Sequence, residues 1–411
     1  MILPIPTGVY SPAKDIVHGG AKYWRKFSLK KLETRIDKAT ASRRNPYLAS
    51  FLQWLYGDAI LSRMGEVYPV AAFPSGRGQI SDIDSVLSTL TIDSDSEEQS
   101  LIASSHYRKA MTRAGKTLFN RPTFTMKKII EGKDEVRVSC GLGTYFEALD
   151  TCDSLEWEIL EKASALRGDS EREFRRFFQH LKLRRTLHEV VDDPMMDGSC
   201  RSAALGVATL IAYRAEGGFR LMLRKRSVSG VSVHGSMTHV IPSFMFQPAV
   251  ISSPEEEFSI EHNIFREYLE ELFNRPEPED GAMDAKYFYN DPRLTYLRSL
   301  LTTGQAQLHV TGIAVNLLNL RPEVCTLLVI DTEDWFTRHG RRDSPKMKFH
   351  TNDEWWSVKT FDKASNSVGS IPYKDLLNGT QVPAALRAST MVPPGAAACW
   401  LGVDVLQEVL G

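Results

Sequence analysis

The stretch EEEFSIEHNIFREYLEELF, residues 255–273, sets the tightest limit on the fold. Ile260, Ile264, Phe265, Tyr268 and Leu272 follow one another at helical spacings, which puts them on one apolar stripe. A stripe of this kind has to be laid on a second layer. Apolar, β-rich runs lie on both sides of it in the sequence, so the pattern predicts a helix over 255–273 packed on a sheet. Strands flanking a central helix place the chain in the α+β or α/β class.

The runs before the helix are ALGVATLIAYRAEGGFRLMLRKRS, two strands joined by Glu-Gly-Gly, and MTHVIPSFMFQP, a strand closed by proline. After it come QLHVTGIAVNLL and EVCTLLVIDT, both β-rich, then EWWSVKTF as a further strand. VPPGAAACWLGVDVLQEVL reads as a closing strand or helix. The first half differs. A Pro/Gly-rich arm occupies 1–20, and helical spacing appears over 22–37 and 45–64. PSGRGQISDIDS and TIDSDSEEQS read as loops, TFTMKKIIEG and DEVRVSCGL as a hairpin, and 154–190 as helical. VDDPMMDGS, residues 191–199, reads as a linker. The predicted division is therefore a mainly helical region over 1–195 and a second domain over 196–411.

Composition excludes some classes. Among 411 residues, Lys and Arg balance Asp and Glu to a net charge of −1, so no global field draws the chain to nucleic acid or anionic lipid. The basic segment 171–185 is interleaved with Phe174, Phe177, Phe178 and Leu181, which predicts core on one side and solvent on the other rather than a nucleic-acid surface. No run approaches the ~18 apolar residues of a membrane span. Five cysteines, Cys140, Cys152, Cys200, Cys325 and Cys399, lack metal-ligand spacing, and their odd number fits a reducing cytoplasm.

Within the helix, REYLEEL places Glu267, Glu270 and Glu271 three and four residues apart, hence on a common face. None has a lysine at i+4, and Arg266 and Arg275 are the nearest bases. Like charges so close repel by a few tenths of a kcal/mol per pair. Solvent, an outside cation or a divalent metal must offset that. Mg²⁺ and Mn²⁺ prefer carboxylate oxygens and couple them to substrate phosphates.

REYLEEL resembles the core of the Nudix box, R-E-U-x-E-E with U aliphatic. Arg266 and Glu267 match R-E, and Glu270 and Glu271 match E-E. The order of elements over residues 203–411 also resembles that family. The resemblance implies a C-terminal α/β/α sandwich with a mixed sheet. It implies Glu267, Glu270 and Glu271 as metal ligands for Mg²⁺ or Mn²⁺, and Arg266 as the base that orients one of them. It departs from the pattern at Phe258, Ser252 and Phe273, where the family has glutamate and glycines, although Glu255, Glu256 and Glu257 lie just before Phe258.

Arg224 and Arg226, at the end of a strand, and His239 are candidate substrate-binding residues. The first half is expected to shape the pocket or to mediate dimerisation. Three readings stay open on the sequence. One is a metal-dependent hydrolase of a nucleoside diphosphate linked to another moiety. Another is a nucleotide-sensing or interaction protein without efficient turnover. The third is a structural protein with an acidic surface helix.

Overall fold

A computed structural model describes residues 43, 45–75, 83–91, 102–113, 115–132, 135–226, 237–250, 253–276, 286–340, 349, 355–356 and 369–411. The expected arm at 1–20, the helix over 22–37, Ser252 and most of the loops at 74–85 and 91–100 lie outside the described residues.

Helix α1 (Leu48–Tyr56) precedes strands β1 (Ile60–Arg63) and β2 (Glu66–Pro74). The apolar spacing over 45–64 predicts one longer helix. Gly57 ends it at φ +77°, a conformation open to glycine without strain, and the chain continues as a strand. Next come β3 (Leu87–Thr91), α2 (His106–Arg113), the hairpin β4 (Pro122–Glu131) and β5 (Val136–Thr144), and α3 (Tyr145–Ala148). A π-helical turn over Leu149–Asp153 leads into α4 (Ser154–Lys162), followed by α5 (Glu171–Gln179) and α6 (Lys182–Val190).

The second half runs β6 (Ala203–Ala204), β7 (Gly206–Ala215), β8 (Gly218–Arg226), β9 (Thr238–Val240), β10 (Ser243–Met245) and α7 (Ile260–Phe273). It continues through α8 (Pro292–Thr302), β11 (Ala306–Asn316), β12 (Pro322–Ile330) and α9 (Glu333–Gly340). It closes with β13 (Trp355–Trp356), β14 (Gly369–Pro372), α10 (Tyr373–Asn378) and α11 (Pro393–Leu410).

The larger sheet is mixed, with the path β1-β2-β11-β12-β7-β8-β13 and β9, β10 and β14 paired alongside. β12 and β7 are parallel, with Glu323 opposite Gly206, while the other pairs in this sheet are antiparallel. β7 and β12 are buried on both faces, so they read as apolar runs rather than alternating ones. Leu210, Ala212, Leu327 and Val329 join Ala397, Trp400 and Leu401 of α11 in one core. Ile211, Tyr213, Leu328 and Ile330 point the other way, onto Phe265, Tyr268 and Leu272 of α7 and onto α8. Three members of the apolar stripe predicted from sequence make this contact; Ile260 and Ile264 pack instead in the core that holds Phe124, Val310 and Ile313.

A second sheet has the order β3-β5-β4-β6. The two sheets do not follow the predicted 195/196 division. β2, from the first half, pairs with β11 from Val70↔Asn316 to Pro74↔Gly312. β6, from the second half, pairs with β4. Phe124 N–H donates to Phe246 O at 3.0 Å, Phe246 N–H to Leu205 O at 2.8 Å, and Leu205 N–H to Phe124 O at 2.8 Å. Among the described residues, the first 195 positions thus contribute five strands as well as helices.

The 191–199 segment is not a free linker. Gly198 N–H donates to Lys127 O at 2.8 Å, and Ile129 N–H donates to Met196 O at 2.7 Å. A Cβ on Gly198 would sit 2.0 Å from Met126 O, so only glycine lets the backbones approach this closely. In α5, Phe174 and Phe177 are buried and Arg172, Arg175 and Arg176 are exposed, as the sequence pattern predicts. Arg184 of α6 breaks that pattern by being fully buried. No helix among the described residues is long and apolar enough to cross a membrane.

Candidate functional site

The helix that carries the three glutamates starts later than the spacing alone predicts. Pro254–Glu257 form a 3₁₀ turn, and α7 begins at Ile260. Ser259 is its N-cap and accepts from His262 N–H at 3.1 Å. Asp84, from the first half, accepts from Ile260 N–H at 2.5 Å and from Ser259 Oγ–H at 2.6 Å. The amino-terminal end of α7 is therefore held by a residue 176 positions away in sequence. At the other end Phe273, where the family has glycine, is the last residue of the helix, and Asn274 after it takes a left-handed conformation and closes it.

Glu257 is buried and is used inside the fold. Its carboxylate accepts from Ala249 N–H at 2.8 Å and from Val250 N–H. Asn263, in turn, donates to Glu257 O at 2.8 Å. These contacts tie the loop after β10 to the first turn of α7.

Glu267, Glu270 and Glu271 all line one cavity of about 570 Å³. It opens where β7 and β12 begin, beside β9, β10 and the amino-terminal end of α11. Of the other residues singled out from sequence, Arg226 and His239 also line it. Arg266 does not; it ion-pairs with Glu267 at 3.1 Å and donates to Gln247 O at 3.1 Å and Asn263 Oδ1 at 2.8 Å. Arg275 is turned away from the glutamates, donating to Phe288 O at 3.2 Å beside Asp291.

Arg224 departs from expectation. It is fully buried and is not among the cavity-lining residues. Burial lowers its guanidinium to about 9, and the charge of Glu271 opposes that shift. None of its three nitrogens has a hydrogen-bond partner among the described residues. Two apart on β8, the two arginines share one face of the sheet. They differ in depth: Arg226 reaches the cavity at the strand end, while Arg224 is covered.

Ser243 links the groups at the cavity floor. Its N–H donates to Glu271 Oε2 at 3.0 Å. Its hydroxyl lies 3.1 Å from His239 Nε2. His239 Nδ1 lies 3.2 Å from Val240 O, which assigns the ring proton to Nδ1 and leaves Nε2 as an acceptor. Burial, reinforced by Arg226, lowers His239 to about 3, so the ring is neutral near pH 7. Burial raises Glu323 to about 7, against the opposing effects of Arg321, Arg226 and Ser243. A carboxyl that titrates there can take or give a proton at neutral pH.

The first half supplies the opposite wall, with Phe119, Arg121, Tyr145 and Asp153. Burial raises Asp153 to about 6, opposed by Arg321, whose Nη1 lies 3.6 Å from Asp153 Oδ1. The turn between β11 and β12 brings Asn316, Asn319 and Arg321 to the cavity. Buried Arg184 holds that turn by donating to Leu317 O at 3.0 Å and to Leu318 O. Asn319 Nδ2 donates to Glu156 Oε2 at 2.9 Å.

Sequence reasoning missed Glu323, Ser243, Arg321, Asp153, Arg121 and Tyr145. The cluster NLLNLRPE carried a turn signal, two asparagines between β runs, but nothing local tied it to the acidic helix.

No protein-family model matches the chain, and no curated protein matches it. The site therefore rests on its own geometry. Three arginines and five carboxylates line a single cavity, an arrangement able to meet phosphate oxygens and a cation together. The donor chemistry suits a hard divalent ion. The present spacing does not close around one: among the described residues no three His, Cys, Asp or Glu side chains are grouped to hold a metal.

Proposed function

We propose that the chain is a Nudix-like hydrolase that acts, with Mg²⁺ or Mn²⁺, on a nucleoside diphosphate linked to another moiety. The layers built on β7 to β14 and α7 are read as a Nudix-like α/β/α sandwich, and the first half as the part that shapes its pocket. The observation that carries the reading is that Glu267, Glu270 and Glu271 share one cavity with Arg226 and His239.

Arg121, Arg226 and Arg321 would bind the phosphates, each guanidinium matching two oxygens. A divalent ion held by Glu267, Glu270 and Glu271 would supply Lewis-acid chemistry at the diphosphate. Arg266 would orient Glu267 through their ion pair. Glu323, titrating near 7, would accept the proton of the attacking water. Neutral His239 would hold Ser243, and through it Glu271, in place.

A second reading, a nucleotide-binding protein without efficient turnover, is favoured by one observation. Glu267 and Glu271 already have partners within the fold, Arg266 and the Ser243 amide. The two readings separate in one experiment. Release of nucleoside monophosphate is measured from a panel of nucleoside diphosphate conjugates with Mg²⁺ or Mn²⁺, for wild type, Glu270→Gln and Glu271→Gln. The hydrolase reading expects release from wild type and its loss in both variants. Nucleotide binding by calorimetry with no product would leave only the binding reading.

A further inference from the structure

Six large apolar side chains are exposed among the described residues: Met64, Phe119, Ile130, Val190, Leu377 and Leu410. Single exposed apolar residues need no explanation in general. Phe119 differs in two ways. It is the most exposed of the six, at 70%, and it alone lines the cavity.

Its exposure is built into the backbone. Leu118, just before it, packs against the core. Asn120, just after it, accepts from Phe146 N–H through Oδ1 at 2.9 Å. Arg121 O accepts from Tyr145 N–H at 2.9 Å. The chain is thus pinned on both sides of Phe119, and the ring stands at the rim of the cavity. No aromatic ring or arginine packs on its face among the described residues. Tyr145 lies on the same wall, and Arg121 stands two residues along from Phe119.

We propose that Phe119 is a stacking platform for the planar ring of a phosphorylated ligand, so that the first half of the chain selects ring-bearing diphosphates over ringless ones. This rests on the phosphate-binding reading of the cavity. An aromatic face binds any base, because every base presents a π-face. Arg121 beside it sets the distance between ring and phosphate. The expected selectivity is for the presence of a ring rather than for one base.

The test is calorimetric binding of ADP, UDP and inorganic pyrophosphate to the full chain, with Phe119→Ala and Phe119→Trp. Stacking of one base corresponds to a roughly 5- to 150-fold change in affinity. The proposal expects Phe119→Ala to weaken ADP and UDP by a factor in that range, to leave pyrophosphate unchanged, and Phe119→Trp to keep nucleotide affinity. Melting temperature should not move, since the ring is exposed. Equal effects on all three ligands, or none, would overturn the stacking role while the phosphate site stands. If wild type binds none of the three, both the stacking role and the phosphate-binding reading fall.

Discussion

Asp84 accepts the backbone N–H of Ile260 at 2.5 Å and that of Glu261 at 3.2 Å, so a carboxylate from the first half closes the first turn of the helix bearing Glu267, Glu270 and Glu271. Such a contact satisfies orphan amides and favours negative charge at a positive helix end. Asp84→Ala should cost about 1–2 kcal/mol, the scale of a lost helix cap. Asp84→Asn should recover part of it, because the amide oxygen can still accept. Chemical denaturation of the three proteins reads this directly, and an unchanged midpoint in the alanine variant would refute it.

Arg266 and Glu267 form a nearly dry pair, with side chains 3% and 8% exposed. Removing one partner of such a pair strands the other charge. Arg266→Met should destabilise by about 3–5 kcal/mol, and Arg266→Met with Glu267→Gln by clearly less. A double-mutant cycle measured by urea unfolding gives the coupling, and additivity of the two single changes would count against the pairing.

Glu323 makes a pH prediction. Its carboxyl is raised from an ordinary 4.5 to about 7 by burial. Between those values the folded chain keeps a proton that the unfolded chain has released, so this group's contribution falls as pH rises from 4.5 to 7. His239 and Asp153 titrate in both wild type and Glu323→Gln. The difference between the two stability curves therefore isolates Glu323. That difference should grow in favour of the glutamine variant across the window and level off above it. A flat difference curve would show that Glu323 titrates normally.

Gly198 sets the close approach of the 191–199 segment to β4. A Cβ there would meet Met126 O at 2.0 Å, a contact that backbone must move to relieve. Gly198→Ala should cost about 1–3 kcal/mol, the range for overpacking. Thermal melting measures it, with Gly168→Ala as a control, where the nearest atom to an added Cβ is 3.7 Å away.

The sequence carried the local features well. The α7 stripe, the β7–β8 hairpin and the common face of the three glutamates depend on spacing within a few residues, and each is present. Non-local assembly was not visible. Glu323 and Asp153 are separated by 170 positions in sequence and meet the cavity only because β12 lies beside β7 and the π-helical turn faces it. Arg184 reads as a solvent-facing base on a basic helix, yet it donates to the Tyr56 hydroxyl and to carbonyl oxygens in a turn 133 residues on, which no pattern in its own segment specifies. Strand β2 is interrupted by Pro69, a residue that usually argues against a strand within a sheet, so its pairing with β11 was hidden too.

That pairing changes what a shortened chain would be. With β2 in place, β11 is an interior strand, and the sheet ends at β1, four residues long with an irregular register between Ile60 and Ser62. A fragment starting at residue 196 would uncover β11 and leave the amides and carbonyls of alternate residues over Gly312–Asn316 without their partners on β2. Open edges of this kind recruit other chains. The first half covers that edge, so a severed second half should aggregate rather than stand as a smaller working protein.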